Sequence, residues 1–81
     1  MYYVYILRSV ATGKLYVGTA RDVRKRLTQH NAGYSIATKP YRPFQLARTE
    51  GYPTLAEARK REWHLKCTPA GGRQKRQLAG G

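Results

Sequence analysis

Residues 16–30 read Tyr-Val-Gly-Thr-Ala-Arg-Asp-Val-Arg-Lys-Arg-Leu-Thr-Gln-His. Leu15 to Val17 read as the end of a strand, Gly18 to Arg21 as a turn, and the remainder as a helix. Asp22 suits the N-cap, because its carboxylate can accept a first-turn N–H and complements the positive helix end. The apolar stripe of this helix runs through Val23 and Leu27. At about 100° per residue, Arg26 and His30 fall on or beside that stripe, whereas Arg24, Lys25 and Gln29 lie elsewhere. An arginine and a histidine on a face that should be greasy break a local rule, and such breaks gather at functional sites. The competing explanation is that Arg26 snorkels and His30 is a satisfied boundary residue.

The chain has 81 residues, enough for one domain with a modest core. Sixteen Lys and Arg face four Asp and Glu, a formal charge of +12. The basic residues run from Arg8 to Arg76, so the folded surface itself is positive and suits a polyanion, nucleic acid first. No basic stretch has the clean apolar face of an interfacial helix, and no span is long enough for a membrane. No protein partner is evident. Cys67 is the only cysteine, so no intrachain disulfide forms. With His30 and His64 it falls short of a four-ligand zinc site. A reducing, cytoplasmic location is the default expectation.

Working outward, Tyr2 to Arg8 is aromatic and β-branched and reads as a strand, with Tyr3, Tyr5 and Leu7 on one face. Ser9 to Gly13 is turn-like and Lys14 to Thr19 a second strand, so an antiparallel hairpin is expected. A register pairing Tyr5 with or diagonal to Tyr16 points both phenols to one side with Gly18, and a glycine there leaves room for a ligand to approach the backbone. Asn31 to Pro43 is a long connection bearing Lys39 and Arg42, and loops of that length are often functional. Phe44 to Thr49 reads as a short third strand, with Glu50 at its end.

Thr54 with Glu57 reads as a capping box opening a second helix, with an apolar face of Leu55, Ala58, position 62 and Leu65, broadened by Trp63. Position 62 is glutamate. A carboxylate placed there needs a cation or a metal; a salt bridge to Arg59 or Lys66 is the simpler account. The main domain is expected over 1–67. Residues 68–81 read as a basic extension with a short helix around Arg73 to Leu78 and frayed glycines at the end.

Tyr5, Tyr16, Gly18, Arg26, His30 and Glu62 make a chemically coherent set. One carboxylate can hold a hydrated divalent cation, an arginine can clamp phosphate oxygens, and a phenol or imidazole can take a proton from water.

With those residues in order, the chain resembles the GIY-YIG nuclease superfamily. Tyr3-Val4-Tyr5 resembles the first motif, with tyrosine where glycine is usual; Tyr16-Val17-Gly18 closely resembles the second. Arg26 matches the family arginine, His30 a position that is histidine or tyrosine in different branches, and Glu62 the metal-binding glutamate. Thr19 stands where some branches, such as the excinuclease branch, carry lysine. The run His30-Asn31-Ala32-Gly33, with Thr38-Lys39, Pro43 and Leu65-Lys66, is similar to the small standalone bacterial members. The resemblance implies an α/β (α+β) fold, a three-stranded antiparallel sheet flanked by helices, with residues 1–67 as the nuclease-like domain. It implies cleavage of DNA dependent on Mg2+ or Mn2+, with a role in repair or recombination. Glu62 would be the metal ligand, Arg26 the phosphate clamp, Tyr16 or His30 the general base, and Tyr5 a positioning group. Gly18, Arg24, Lys39 and Arg42 would contact nucleic acid. With no appended reader domain, affinity should come from phosphates and carry little sequence information. The alternative is a nucleic-acid-binding module of the same fold with little or no catalysis.

Overall fold

The computed structural model describes residues 1–80. Among them, three strands, β1 (Tyr2–Ser9), β2 (Leu15–Ala20) and β3 (Phe44–Tyr52), form one antiparallel sheet in the order β2-β1-β3. Three helices accompany the sheet: α1 (Val23–Asn31), α2 (Leu55–Cys67) and α3 (Pro69–Leu78). A 3-10 turn, Lys39–Tyr41, interrupts the connection between α1 and β3. The α+β architecture is thus the expected one.

β1 lies in the middle of the sheet, which explains its apolar run: Val4 to Leu7 are buried on both faces. Alternation along β1 divides the core in two. On one face Val4, Ile6 and Val17 pack with Ala58 and Leu65 of α2 and with Ala79. On the other, Tyr5, Leu7 and Phe44 pack with Tyr16 and with Val23 and Leu27 of α1. The hairpin between β1 and β2 closes through Gly13, whose φ of +77° suits a glycine.

Two elements are longer than their sequence signals. β3 continues past Thr49 to Tyr52, pairing Val4 with Glu50 and Tyr2 with Tyr52. Glu50 therefore sits inside the ladder and not at a strand end. Arg61 donates to it through Nε at 2.8 Å and Nη2 at 3.2 Å, and the Tyr52 hydroxyl donates at 3.0 Å. The paired ladder and this ion pair outweigh the weak strand propensity of Glu-Gly. α3 begins at Pro69, well before Arg73. Thr68 caps it by accepting from Gly71 N–H, and Pro69 fits the first turn. Gly71 is buried, and a Cβ there would run into the His64 carbonyl. The missing side chain at Gly71 is what lets α3 pass close to the end of α2. Leu78 and Ala79 then join the sheet core, and the Arg8 guanidinium donates to the Ala79 carbonyl. Of the terminal glycines expected to fray, Gly81 lies outside the described residues. Trp63 does not broaden the packing face; it is 60% exposed.

Candidate active site

The hairpin register places Tyr5 opposite Gly18 and Leu7 opposite Tyr16, so the two tyrosines are diagonal neighbours on the α1 face. Their ring centroids are 6.5 Å apart. α1, started by Asp22 accepting from Lys25 N–H, brings His30 over the same face. There His30 is 2% exposed and its ring meets that of Tyr16 edge-on at 5.0 Å. The long connection supplies a fourth member that sequence reasoning missed. Thr38 is buried, and its Oγ1 lies 2.8 Å from His30 Nδ1. On the other side of the ring, His30 Nε2 lies 3.1 Å from the Tyr5 hydroxyl.

Each ring nitrogen of His30 thus has a hydroxyl partner: with the proton on Nδ1 the ring donates to Thr38 and accepts from Tyr5, and with it on Nε2 the directions reverse. Burial, reinforced by the nearby Arg26 charge, lowers the His30 pKa below its ordinary value. Burial raises that of the Tyr5 phenol, with Arg26 pulling it partly back. Both groups are neutral at pH 7. His30 uses both nitrogens inside the protein and has none facing solvent. Tyr16 is only half-buried and lines an open recess with Lys14 and Tyr41.

Gly18 plays a different part from the one expected. It is buried, and a Cβ on it would strike the Tyr5 hydroxyl and its ring carbon. The space left by the missing side chain is filled by Tyr5 itself and is not open to a ligand. Arg26 is exposed, donates through Nη1 to Gln29 Oε1 at 3.1 Å, and lines a recess with Gln29, His30 and Tyr34. Its guanidinium also acts on the Tyr5 hydroxyl and on His30 behind it. Arg24, Lys39 and Arg42 are also exposed, and Arg42 Nε donates to the Lys39 carbonyl at 3.1 Å.

Glu62 approaches from α2, on the other side of the sheet. It is half-buried and takes a short hydrogen bond from Thr19 Oγ1. Its Oε2 lies 3.1 Å from Lys66 Nζ, one helical turn on. Lys66 Nζ also stands 5.0 Å from the centre of the Tyr16 ring. Lys66 thus bridges the edge of β2, joining the carboxylate on one side to the tyrosine on the other. Tyr5, Tyr16, His30 and Arg26 form one cluster; Glu62 and Thr19 form its flank. The Glu62–Lys66 spacing is readable from sequence, but the reach of Lys66 over Tyr16 is not.

Among the described residues no three His, Cys, Asp or Glu side chains gather to hold a metal. A multidentate protein cage is therefore not built. The donors at Glu62 are hard oxygens, one carboxylate and the Thr19 hydroxyl, half open to water. That set fits a hard cation that keeps most of its waters and takes a phosphate oxygen, and does not fit a soft metal needing four nitrogen or sulfur ligands.

Residues 1–74 match the model of the GIY-YIG catalytic domain. A UPF0213 protein of Staphylococcus saprophyticus is 42% identical over 66 residues, covering 80% of this chain and 79% of that one. A UPF0213 protein of Staphylococcus aureus strain Mu3 matches with the same identity and coverage. The solution NMR structure of a UPF0213 protein from Bacillus halodurans superposes with a TM-score of 0.57 at 33% identity, over 100% of this chain and 88% of that one. No described helix is long and apolar enough to cross a membrane. A nuclease domain, acting on nucleic acid and in general using a divalent metal, is what this match points to. The chain belongs to the GIY-YIG family, among its small UPF0213 members.

Proposed function

We propose that the protein is a cytoplasmic endonuclease that hydrolyses DNA phosphodiester bonds with little sequence specificity, using Mg2+ or Mn2+, in DNA repair or recombination. The observation that carries this reading is the convergence of Tyr16, Arg26 and the His30 network on one open face, with Glu62 at its edge. Arg26 grips the non-bridging oxygens of the phosphate and offsets charge as it develops. Tyr16 is the group placed to take the proton of the attacking water once its own phenolic proton has passed to bulk water, since its side chain reaches solvent and the His30 nitrogens do not. His30, pinned by Tyr5 and Thr38, holds the Tyr16 ring in place as a positioning residue. Glu62, with Thr19 beside it, would hold the divalent ion, which when bound supplies charge stabilisation at the leaving oxygen. Lys66 must release Glu62 for this, and its freed ammonium then faces the substrate. Arg24, Lys39 and Arg42 bind flanking phosphates, which position the strand without reading it.

A second reading draws on one contact. The Lys66–Glu62 pair occupies the carboxylate, as it would in a binding module with little catalysis. Incubation of the pure protein with labelled linear, nicked, flapped and single-stranded DNA, and with RNA, with and without magnesium or manganese, separates the two. Metal-dependent cleavage of DNA supports the nuclease; binding without cleavage in every condition supports the module.

A further inference from the structure

Three recesses lie along β2. The first, around Glu62, is bounded by Thr19 and Lys66, and the Lys66 ammonium reaches the Tyr16 ring. Tyr16 lines the next recess together with Lys14 and Leu15. Those two residues also line a third, a cleft of about 450 Å³ closed by Arg8, Lys75 and Arg76. Among the described residues this last cleft carries four cations and no acid. Nor can an acidic side chain from elsewhere neutralise it. Asp22 caps α1, Glu50 pairs with Arg48 and Arg61, Glu57 lies in the first turn of α2, and Glu62 pairs with Lys66. These are all four acids of the chain.

Part of the cluster has structural work. Arg8 donates to the Ala79 carbonyl at the end of α3, and Lys14 Nζ sits 4.3 Å above the Tyr41 ring. Lys75 and Arg76 have no acid contact among the described residues. Four like charges gathered with no acidic side chain beside them favour an anion among them.

We propose that Arg8, Lys14, Lys75 and Arg76 form a second phosphate-binding site, which receives the backbone of the same nucleic acid whose scissile phosphate lies at Tyr16 and Arg26. The layout fits. Leu15 of the clamp directly precedes Tyr16, and Lys14 and Leu15 line both the clamp and the Tyr16 recess. Thr19, beside Glu62, is four residues on from Leu15, about 13 Å at 3.3 Å per residue. The edge of β2 then serves as a track, with Glu62 at one end, Tyr16 beyond it and the phosphate clamp at the other end. This inference rests on the nucleic-acid reading above.

The test is fluorescence anisotropy in a Glu62→Gln background with chelator, so that no strand is cut. One labelled duplex of roughly 20 base pairs is used, and Lys25→Gln with Lys60→Gln, which removes two exposed cations away from the cleft, controls for net charge. Lys75→Gln with Arg76→Gln should flatten the slope of log affinity against log salt by about 1.8, and Lys14→Gln by about 0.9, from about 0.9 per phosphate contact. The control pair should leave the slope as in the parent. Because Lys14 is in the hairpin turn and the other two are in α3, failure of one variant to fold leaves the other to decide. Unchanged slopes in the cleft variants overturn the second site, as does an equal flattening by the control pair, which marks a diffuse field. If the parent does not bind the duplex, the nucleic-acid reading itself falls and takes the second site with it, a result visible before any substitution is made.

Discussion

The phenol of Tyr5 occupies the space that a side chain at position 18 would need. A Cβ added to Gly18 collides with the Tyr5 hydroxyl, which is itself held by His30 Nε2 at 3.1 Å. The motif glycine and the first tyrosine are therefore two halves of one packing unit, and that unit fixes the ring against which Tyr16 rests.

Gly18→Ala should destabilise the domain by about 1–3 kcal/mol, the usual range for overpacking a filled core. In a domain of this size each kcal/mol lowers Tm by roughly 4–8 °C. Thermal unfolding checks this. A Tm equal to the parent would show that Tyr5 moves away without loss and that the unit is not rigid.

Stability should fall on acidification in two stages. His30 has its folded pKa lowered below 6.5, so below pH 6.5 the unfolded chain binds the proton first and stability drops with pH. Glu50 is held below 4.5 by Arg61, so its contribution is full above pH 4.5 and is lost as pH falls through the lowered value. At the alkaline end Tyr5 is raised above 10.0, and its contribution, present below that pH, is lost as pH rises past it. Denaturant unfolding at a series of pH values tests this. His30→Gln should flatten the first stage and lower stability at neutral pH, because Tyr5 and Thr38 lose a buried partner, at about 1–3 kcal/mol. A parent curve that is flat just below pH 6.5 would contradict a buried neutral His30.

Much of this arrangement could be read from the chain. The period-2 pattern of β1 and β2 sets Tyr5, Tyr16 and Gly18 on one face, and the helical period of α1 brings His30 over it. What could not be read depends on contacts between distant segments. Thr38 is one threonine in an irregular connection, and only the closure of that connection buries it against His30. Lys66 stands four residues after Glu62, which predicts an ion pair, but its reach to Tyr16 depends on how α2 crosses β2. Gly71 and Gly72 leave the start of α3 unsignalled, because helix propensity is low there. Close packing of Gly71 on His64 overrides that propensity.

Lys39→Ala with Arg42→Ala should weaken DNA binding without unfolding the domain. Both side chains are exposed, and among the described residues the Arg42 side chain bonds a backbone carbonyl of its own turn. The log affinity–log salt slope should fall by up to about 1.8, from two phosphate contacts. Unchanged affinity at low salt would leave this connection the sole task of placing Thr38.

Lys66→Gln should let Glu62 bind a divalent ion more tightly in the absence of DNA. The pair is partly solvent-exposed, so its strength is about 0.3–0.5 kcal/mol. That corresponds to roughly a twofold gain in Mg2+ affinity, readable by calorimetric titration. A weaker Mg2+ affinity in the variant would show that Lys66 assists the site and does not compete for it.

The most direct test is Glu62→Gln, which keeps the shape of the side chain and removes its charge. DNA cleavage by the parent should require Mg2+ or Mn2+ and stop in excess chelator. The variant should lose cleavage while binding DNA as tightly as the parent or slightly more so, since a negative charge leaves a phosphate-facing cleft. Cleavage by the variant at the parent's rate, or cleavage by the parent undiminished in chelator, would contradict the assignment of Glu62 as metal ligand.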